Sequence, residues 1–370
     1  MSTIKANAIL DASGGNTVTI NSVTPTAYNT MGKNLIINGA MQVAQRGTSG
    51  FTAGNSYGLD RWKNWKSGSG AFTVEQSTDV PTTEPFQYSL KSTVTTTSTP
   101  SGNDYYGVAQ YIEGNNAHSL GFGTSAAKTI TLSFWVKSSI TGTYSVAISN
   151  KDGATRTYAA DYSISSANTW EKKALTISGD VTGTWNKDNT IGLRVWFALG
   201  MGSTYSTSTS NSWESSGGIQ SPSAIDWISN SGATFYITGV QLEAGSVATE
   251  FERRPYGTEL QLCQRYYEKS YSLDVVPGTA TTNGFVYMST GTSTAGDKAT
   301  GAFFKVEKRA TPTITYWDSA GNLNKVDSAG TNRVGAINFV NTVSTNIRQN
   351  AGGGYGSADL GYQFVASSEL

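Results

Sequence analysis

Apolar and polar positions alternate with a period of two along most of this chain. Ile130, Leu132, Phe134 and Val136 point one way, while Thr129, Thr131, Ser133 and Lys137 point the other. Such alternation predicts a strand with one face in a core. Tyr144, Val146 and Ile148 repeat the pattern. Ile191, Leu193, Val195, Phe197 and Leu199 form a longer inward row, which turns Arg194 and Trp196 outward. An outward Trp196 is expected to pack on the carboxy-terminal region or on a neighbouring subunit. Phe235 and Ile237 share one phase and Val240 and Leu242 take the opposite one, so Gly239 at the slip predicts a β-bulge. Several such strands between turn-rich loops predict a jelly-roll β-sandwich over residues 33–255.

The period changes at 258–269. Leu260, Cys263 and Tyr267 line one helical stripe, with Leu262 and Tyr266 widening it. Thr258 with Gln261 reads as a capping box, and Glu259 suits the positive helix end. A helix this short needs its apolar stripe buried, on a sheet or on copies of itself; a homotrimer with Leu260, Cys263 and Tyr267 near its axis is the expected arrangement. Strand signals return at 285–289, 303–306, 313–317, 333–340 and 362–366. They predict a second, smaller β-sandwich within 256–370. Residues 1–32 hold two short apolar runs around Asp11-Ala12-Ser13-Gly14-Gly15-Asn16, and read as an extended arm that docks elsewhere or, in the free protein, as a frayed terminus. The expected fold class is therefore all-β, in three parts: arm, jelly roll, and helix plus second sandwich.

Composition agrees with that pattern. Charged residues are only 14% of the 370, against a usual ~25%, and the space goes to Gly, Ser, Thr, Asn and aromatics. A formal net charge of +0 argues against nucleic-acid binding. No stretch approaches the ~18 apolar residues of a membrane span, and the first residues lack a signal-peptide core. The expectation is a protein made in a bacterial host cytoplasm, released by lysis and not inserted in membranes. Cys263 alone forms no intramolecular disulfide, and the single His118 supports neither a multi-histidine zinc site nor much triad chemistry. His118 reads as a residue of a polar loop. No metal, cofactor or catalytic residue is assigned.

Two sets of motifs carry resemblances. Asn34-Leu35-Ile36-Ile37-Asn38-Gly39, Phe134-Trp135-Val136-Lys137 and Phe235-Tyr236-Ile237-Thr238-Gly239-Val240-Gln241-Leu242-Glu243 resemble strands of carbohydrate-binding jelly-roll modules. Those modules commonly hold a calcium ion with a carboxylate after the Asn-Gly and an Asp in the last strand. Here Met41-Gln42 and Gly239 stand in those places, which removes the ligands calcium needs. Asn38-Gly39-Ala40-Met41-Gln42-Val43-Ala44-Gln45-Arg46-Gly47, Tyr57-Gly58-Leu59-Asp60-Arg61-Trp62, and the run from Gln241 through Pro255 to Lys269 are similar to phage tail-fibre and related virion proteins. The resemblance implies a virion protein, anchored to other virion proteins through residues 1–32, homotrimeric, and binding a bacterial surface polysaccharide or receptor during adsorption. A purely structural capsid fibre or decoration protein is the alternative. A polysaccharide-degrading enzyme is disfavoured because the long repeat of such enzymes is missing.

Sugar recognition needs flat rings flanked by polar groups. The Ser/Thr/Gly-rich stretch 200–223 offers Tyr205, Trp213 and Glu214, with plain loop packing as the competing reading. Trp62 and Trp65 in Asp60-Arg61-Trp62-Lys63-Asn64-Trp65 are the second candidates, against a core role. Glu250, Glu252, Arg253 and Arg254 read as a solvated linker with weak surface pairs.

Overall fold

The computed structural model describes residues 32–150, 155–289, 299–328, 331–349 and 359–370. The arm predicted at 1–32 lies outside these residues but for Gly32. The chain is nearly all antiparallel β-structure, as the alternation predicts. One sheet has six strands in the order Phe51–Thr52, Ala71–Ser77, Ser89–Thr96, Thr234–Ala244, Ile130–Ser138 and Glu171–Ile177. The other has seven: Trp213–Glu214, Thr157–Ile164, Gly142–Ser149, Ile191–Met201, Tyr105–Glu113, Lys63–Ser67 and Ser56–Tyr57.

The two sheets face each other as a sandwich. Phe72, Val74, Leu90, Phe134, Val136 and Phe235 from the first meet Val146, Ile148, Val195 and Phe197 from the second in one buried cluster. Phe134 lies edge-on to Phe197 at 5.0 Å and to Tyr162 at 5.1 Å, the arrangement that ring quadrupoles favour. The slip at Gly239 is a bulge: the register of Thr234–Ala244 on Ile130–Ser138 shifts between Thr238 and Gln241, and Gly239 has φ +60°. The opening segment lies along this same strand. Leu35 N–H donates to Leu242 O at 2.9 Å, and Asn34 Oδ1 accepts from the N–H groups of Ile36 and Leu242.

The remaining strands curl around a second apolar cluster that includes Ile314, Tyr316, Val326, Ile347, Leu360, Tyr362 and Phe364. Asp359–Ser367 is their spine. Its first half pairs with Val286–Ser289 and Lys325–Ser328, its second with Tyr267–Lys269 and Thr313–Trp317. Thr331–Val340, Ser344–Gln349 and Ala299–Phe303 continue the sheet. The strand predicted at 303–306 therefore ends where it was expected to begin.

The helix is shorter and earlier than predicted, Tyr256–Gln264. Pro255 is its N-cap and no side chain caps it, so the Thr258–Gln261 box does not form; Glu259 does occupy the first turn. Beyond Gln264 the chain turns into the strand Tyr267–Lys269, because pairing with Asp359–Ser367 outweighs helix propensity there. Tyr267 is thus a strand residue. The stripe expected to face other subunits is covered within the chain: Cys263 and Tyr266 are buried with Ile37 and Val43, and Leu260 and Leu262 pack on them. Burial also pushes the Cys263 thiol well up.

This packing belongs to a polar joint between the sandwich and the curled sheet. Asp60 accepts from the backbone N–H and Nε2 of Gln45, both at 2.6 Å, and Gln45 Nε2 also donates to Tyr267 O at 2.8 Å. Arg46 and Arg61 both pair with Glu369, and their guanidinium groups lie 3.6 and 3.5 Å from the ring centres of Tyr267 and Tyr266. Glu113 takes two bonds from Arg265 and one from Tyr266. Lys308, fully buried, pairs with Glu268 at 2.6 Å. Glu252 and Arg254 are not a solvated linker. Glu252 accepts from the N–H groups of Gly32 and Asn34, while Arg254 donates to the carbonyls of Asn34 and Ile36 and pairs with Glu259.

Candidate aromatic binding face

The solvent side of the seven-stranded sheet carries a connected set of rings. Its centre is made of small residues. Gly107, Ala109, Ala147 and Ala198 leave room for larger side chains from neighbouring positions. Trp196 comes from Ile191–Met201 and Trp65 from Lys63–Ser67, on either side of Tyr105–Glu113. Their indoles stack at 5.4 Å with planes 29° apart. A Cβ on Gly107 would stand 2.2 Å from Trp196 Nε1, so glycine is required for the indole to lie there.

Tyr105 extends the set, edge-on to Trp65 at 5.8 Å and to Trp196 at 5.7 Å. Tyr205 closes it, edge-on to Tyr105 at 5.4 Å. Tyr205 sits in the one-turn helix Ser203–Tyr205, and its carbonyl accepts from the N–H groups of Ile219 and Gln220, which folds the long loop back over the sheet. Trp196 is buried in this cluster, whereas Trp65, Tyr105 and Tyr205 remain half-buried. Trp65 and Tyr105 pack on Trp196, with Ile219 of the long loop in the same cluster.

Two cations flank the rings. Lys63 Nζ lies 4.3 Å from the Trp65 ring centre, and the Arg194 guanidinium 4.5 Å from that of Trp196. Arg194 Nε also donates to Ser149 Oγ at 3.1 Å. Burial pulls the Arg194 guanidinium below its usual range and pushes the neighbouring Tyr111 phenol up. Flat rings beside N–H donors are the chemistry that sugar C–H faces and hydroxyls require.

Of the five predicted ligand contacts, the structure brings together Trp65 and Tyr205. Trp62 is a correction: it is fully buried in the sandwich core, its Nε1 donating to Asn38 O at 3.1 Å, and it presents nothing to a ligand. Trp213 belongs to a different cluster, edge-on to Phe122, Tyr158 and Trp185, with Nε1 donating to Ser178 O at 2.7 Å. Glu214 pins the loop by accepting from Ser208, Thr209 and Ser216. Burial would raise its carboxyl, but the hydrogen bonds from Ser216 and Ser208 outweigh that and hold it low. Lys63, Tyr105 and Arg194 escaped the sequence reading; the outward phase of Arg194 and Trp196 was the signal that pointed to them. His118 is exposed but opens the one-turn helix His118–Leu120 where a loop was expected, Nδ1 lying 2.7 Å from Asn115 O. Among the described residues, no group of three or more His, Cys, Asp or Glu is arranged to hold a metal.

No protein-family model and no curated protein matches this chain. Solved structures do. One is the enzymatically active domain of bacteriophage CBA120 tailspike protein 4, 17% identical over 57% of this chain and 21% of that one, TM-score 0.32. Another is the family 11 carbohydrate-binding module from Clostridium thermocellum in complex with a β-1,3-1,4-mixed-linked tetrasaccharide. It is 10% identical over 55% of this chain and 99% of that one, TM-score 0.29. A third is TmCBM61 in complex with β-1,4-galactotriose, 8% identical over 58% and 99%, TM-score 0.29.

Proposed function

We propose that this chain is a phage virion fibre protein whose sandwich binds a bacterial surface glycan during adsorption, without cleaving it. The observation that carries the glycan reading is the ring set Trp65–Trp196–Tyr105–Tyr205 on the outer side of a sheet between Lys63 and Arg194, in which Trp65, Tyr105 and Tyr205 stay partly exposed around the buried Trp196. A sheet face of this kind suits the side of an extended polysaccharide. The virion reading rests on the segments similar to tail-fibre proteins, from Asn38 to Gly47, Tyr57 to Trp62 and Gln241 to Lys269. Other virion proteins would hold the chain through residues 1–32.

The test is an array of bacterial capsular and lipopolysaccharide glycans, probed with the full chain. Retention on at least one polymer is the expected result, with no reducing ends released from it. Retention on none sinks the glycan reading, and released reducing ends make the chain an enzyme.

A structural role alone is the second reading, and one surface favours protein contacts. Phe303 is 86% exposed; Val343, in the turn beside it, and Phe339, on the same face across the strand Ser344–Gln349, are also exposed. Large apolar groups clustered at the surface mark sites that another protein covers. This patch takes the place of the Leu260–Cys263 stripe as the contact between subunits of the proposed homotrimer.

A further inference from the structure

The opposite face of the sandwich holds a feature that the ring set does not use. The bulge at Gly239 interrupts the six-stranded sheet beside Trp135, which is paired in register with Thr238 on one side and Lys172 on the other. Over it opens a groove of about 270 Å³. Trp135 is half-buried there, and among the described residues it has neither a ring partner nor a side-chain hydrogen bond. Its neighbour on the same face differs: Trp170 is edge-on to Tyr236 at 6.0 Å and donates to Asp79 at 3.0 Å.

The far wall is rigid. Phe86 and Phe251 meet edge-on at 5.3 Å, and Arg253 lies 4.5 Å from the Phe86 ring centre while pairing with Glu84 at 3.1 Å. Gly239 is held to glycine by its positive φ, and a Cβ there would stand 2.5 Å from Phe86. Bulge and wall therefore fix each other. Lys172 and Glu250 line the same groove; both are exposed and neither has a salt bridge among the described residues.

We infer that this groove is a second carbohydrate subsite, which takes a short neutral saccharide: Trp135 supplies the platform, and Lys172 and Glu250 bind hydroxyls. The volume lies at the small end of ligand pockets, room for roughly one or two pyranose rings and not for a passing polymer. Indole faces bind the C–H side of a pyranose, and an ammonium with a carboxylate supplies both donors and acceptors. This site goes beyond the proposed polymer face and stands or falls separately.

The experiment is calorimetric titration, with saturation-transfer NMR, of the full chain. The probes are methyl pyranosides and disaccharides of glucose, galactose, mannose and N-acetylglucosamine. At least one is expected to bind saturably, with saturation transferred from aromatic protons. Trp135→Ala should weaken that binding by about tenfold or more, and Trp65→Ala should leave it unchanged. Should Trp135→Ala fail to fold, the double variant Lys172→Ala/Glu250→Ala alters only exposed side chains and should also weaken it. The inference is overturned if no probe binds, if the groove variants bind as the parent does, or if Trp65→Ala abolishes the binding instead.

Discussion

Trp65 and Trp196 stack across a strand that contributes only glycine and alanine beneath them, with ring centres 5.4 Å apart. The pair anchors the ring set on the outer face of the seven-stranded sheet. Its two members do different work. Trp196 is buried and Trp65 is half-buried. Trp196→Ala is accordingly expected to destabilise the fold by about 3 kcal/mol, as loss of a buried large ring does. Urea unfolding of that variant checks this, and a loss below about 1 kcal/mol would mean that the loop does not hold the ring down.

The joint between the sandwich and the curled sheet depends on Glu369, the shared acceptor of Arg46 and Arg61. Glu369→Ala leaves the buried Arg61 guanidinium without its carboxylate and Arg46 with only Asp60 at 3.9 Å, a change that costs about 3–5 kcal/mol. The expected result is a lower urea midpoint, with the curled sheet losing protection from proteolysis first. Unchanged unfolding would show that the ring contacts of Arg46 and Arg61 suffice.

Acid should weaken the same joint. Burial alone would raise the Glu113 carboxyl, but hydrogen bonds from Arg265, Tyr266 and Asn115 outweigh it and hold the group below the usual carboxylate range. A depressed carboxyl contributes stability that is complete above its unfolded value, ordinarily near ~4.3, and that is lost as pH falls through the folded one. Asp180, held low in the same way by Arg156 and Thr182, adds to this slope. Asp60 opposes it, because burial outweighs Arg46 and Gln45 and raises its carboxyl. Urea midpoints measured from neutral to strongly acidic pH should therefore fall, and Glu113→Gln should fall less steeply; a parallel curve contradicts the assignment.

Gly239→Ala tests the bulge. The left-handed backbone costs an L-residue roughly 1 kcal/mol or more, and the new methyl meets the Phe86 ring. A total loss of about 2–3 kcal/mol is expected, part of which Phe86→Ala should relieve in a double-mutant cycle. Additive losses would place the strain elsewhere.

Much of this fold was legible from alternation alone. The row Leu193, Val195, Phe197, Leu199 lies fully buried, and the phase slip at Gly239 marked a real bulge. Such features depend on residues adjacent in sequence. The helix boundary was not legible, since Tyr266 and Tyr267 fit a helical stripe until pairing with Asp359–Ser367 captures the chain. The joint was equally hidden, because Arg46, Arg61, Glu113, Arg265 and Glu369 meet only in three dimensions. Trp62 and Trp65 look alike in sequence. Trp62 is sealed in the core, while Trp65, on the strand that follows, lies on the outer face.

Self-association should follow the apolar patch and not the helix. Phe303→Lys, at an 86% exposed position, is expected to leave folding intact and convert a trimer to monomers in multi-angle light scattering. A parent chain that is already monomeric at micromolar concentration contradicts the trimer.

The proposed glycan site is the ring set around Trp65. Its most direct test is calorimetric titration of one array-selected surface polysaccharide into the parent chain and into Trp65→Ala, with circular dichroism confirming equal folding. Loss of this half-buried ring is expected to weaken binding by about 2 kcal/mol, or roughly thirtyfold. Equal affinity in the two proteins would contradict the claim.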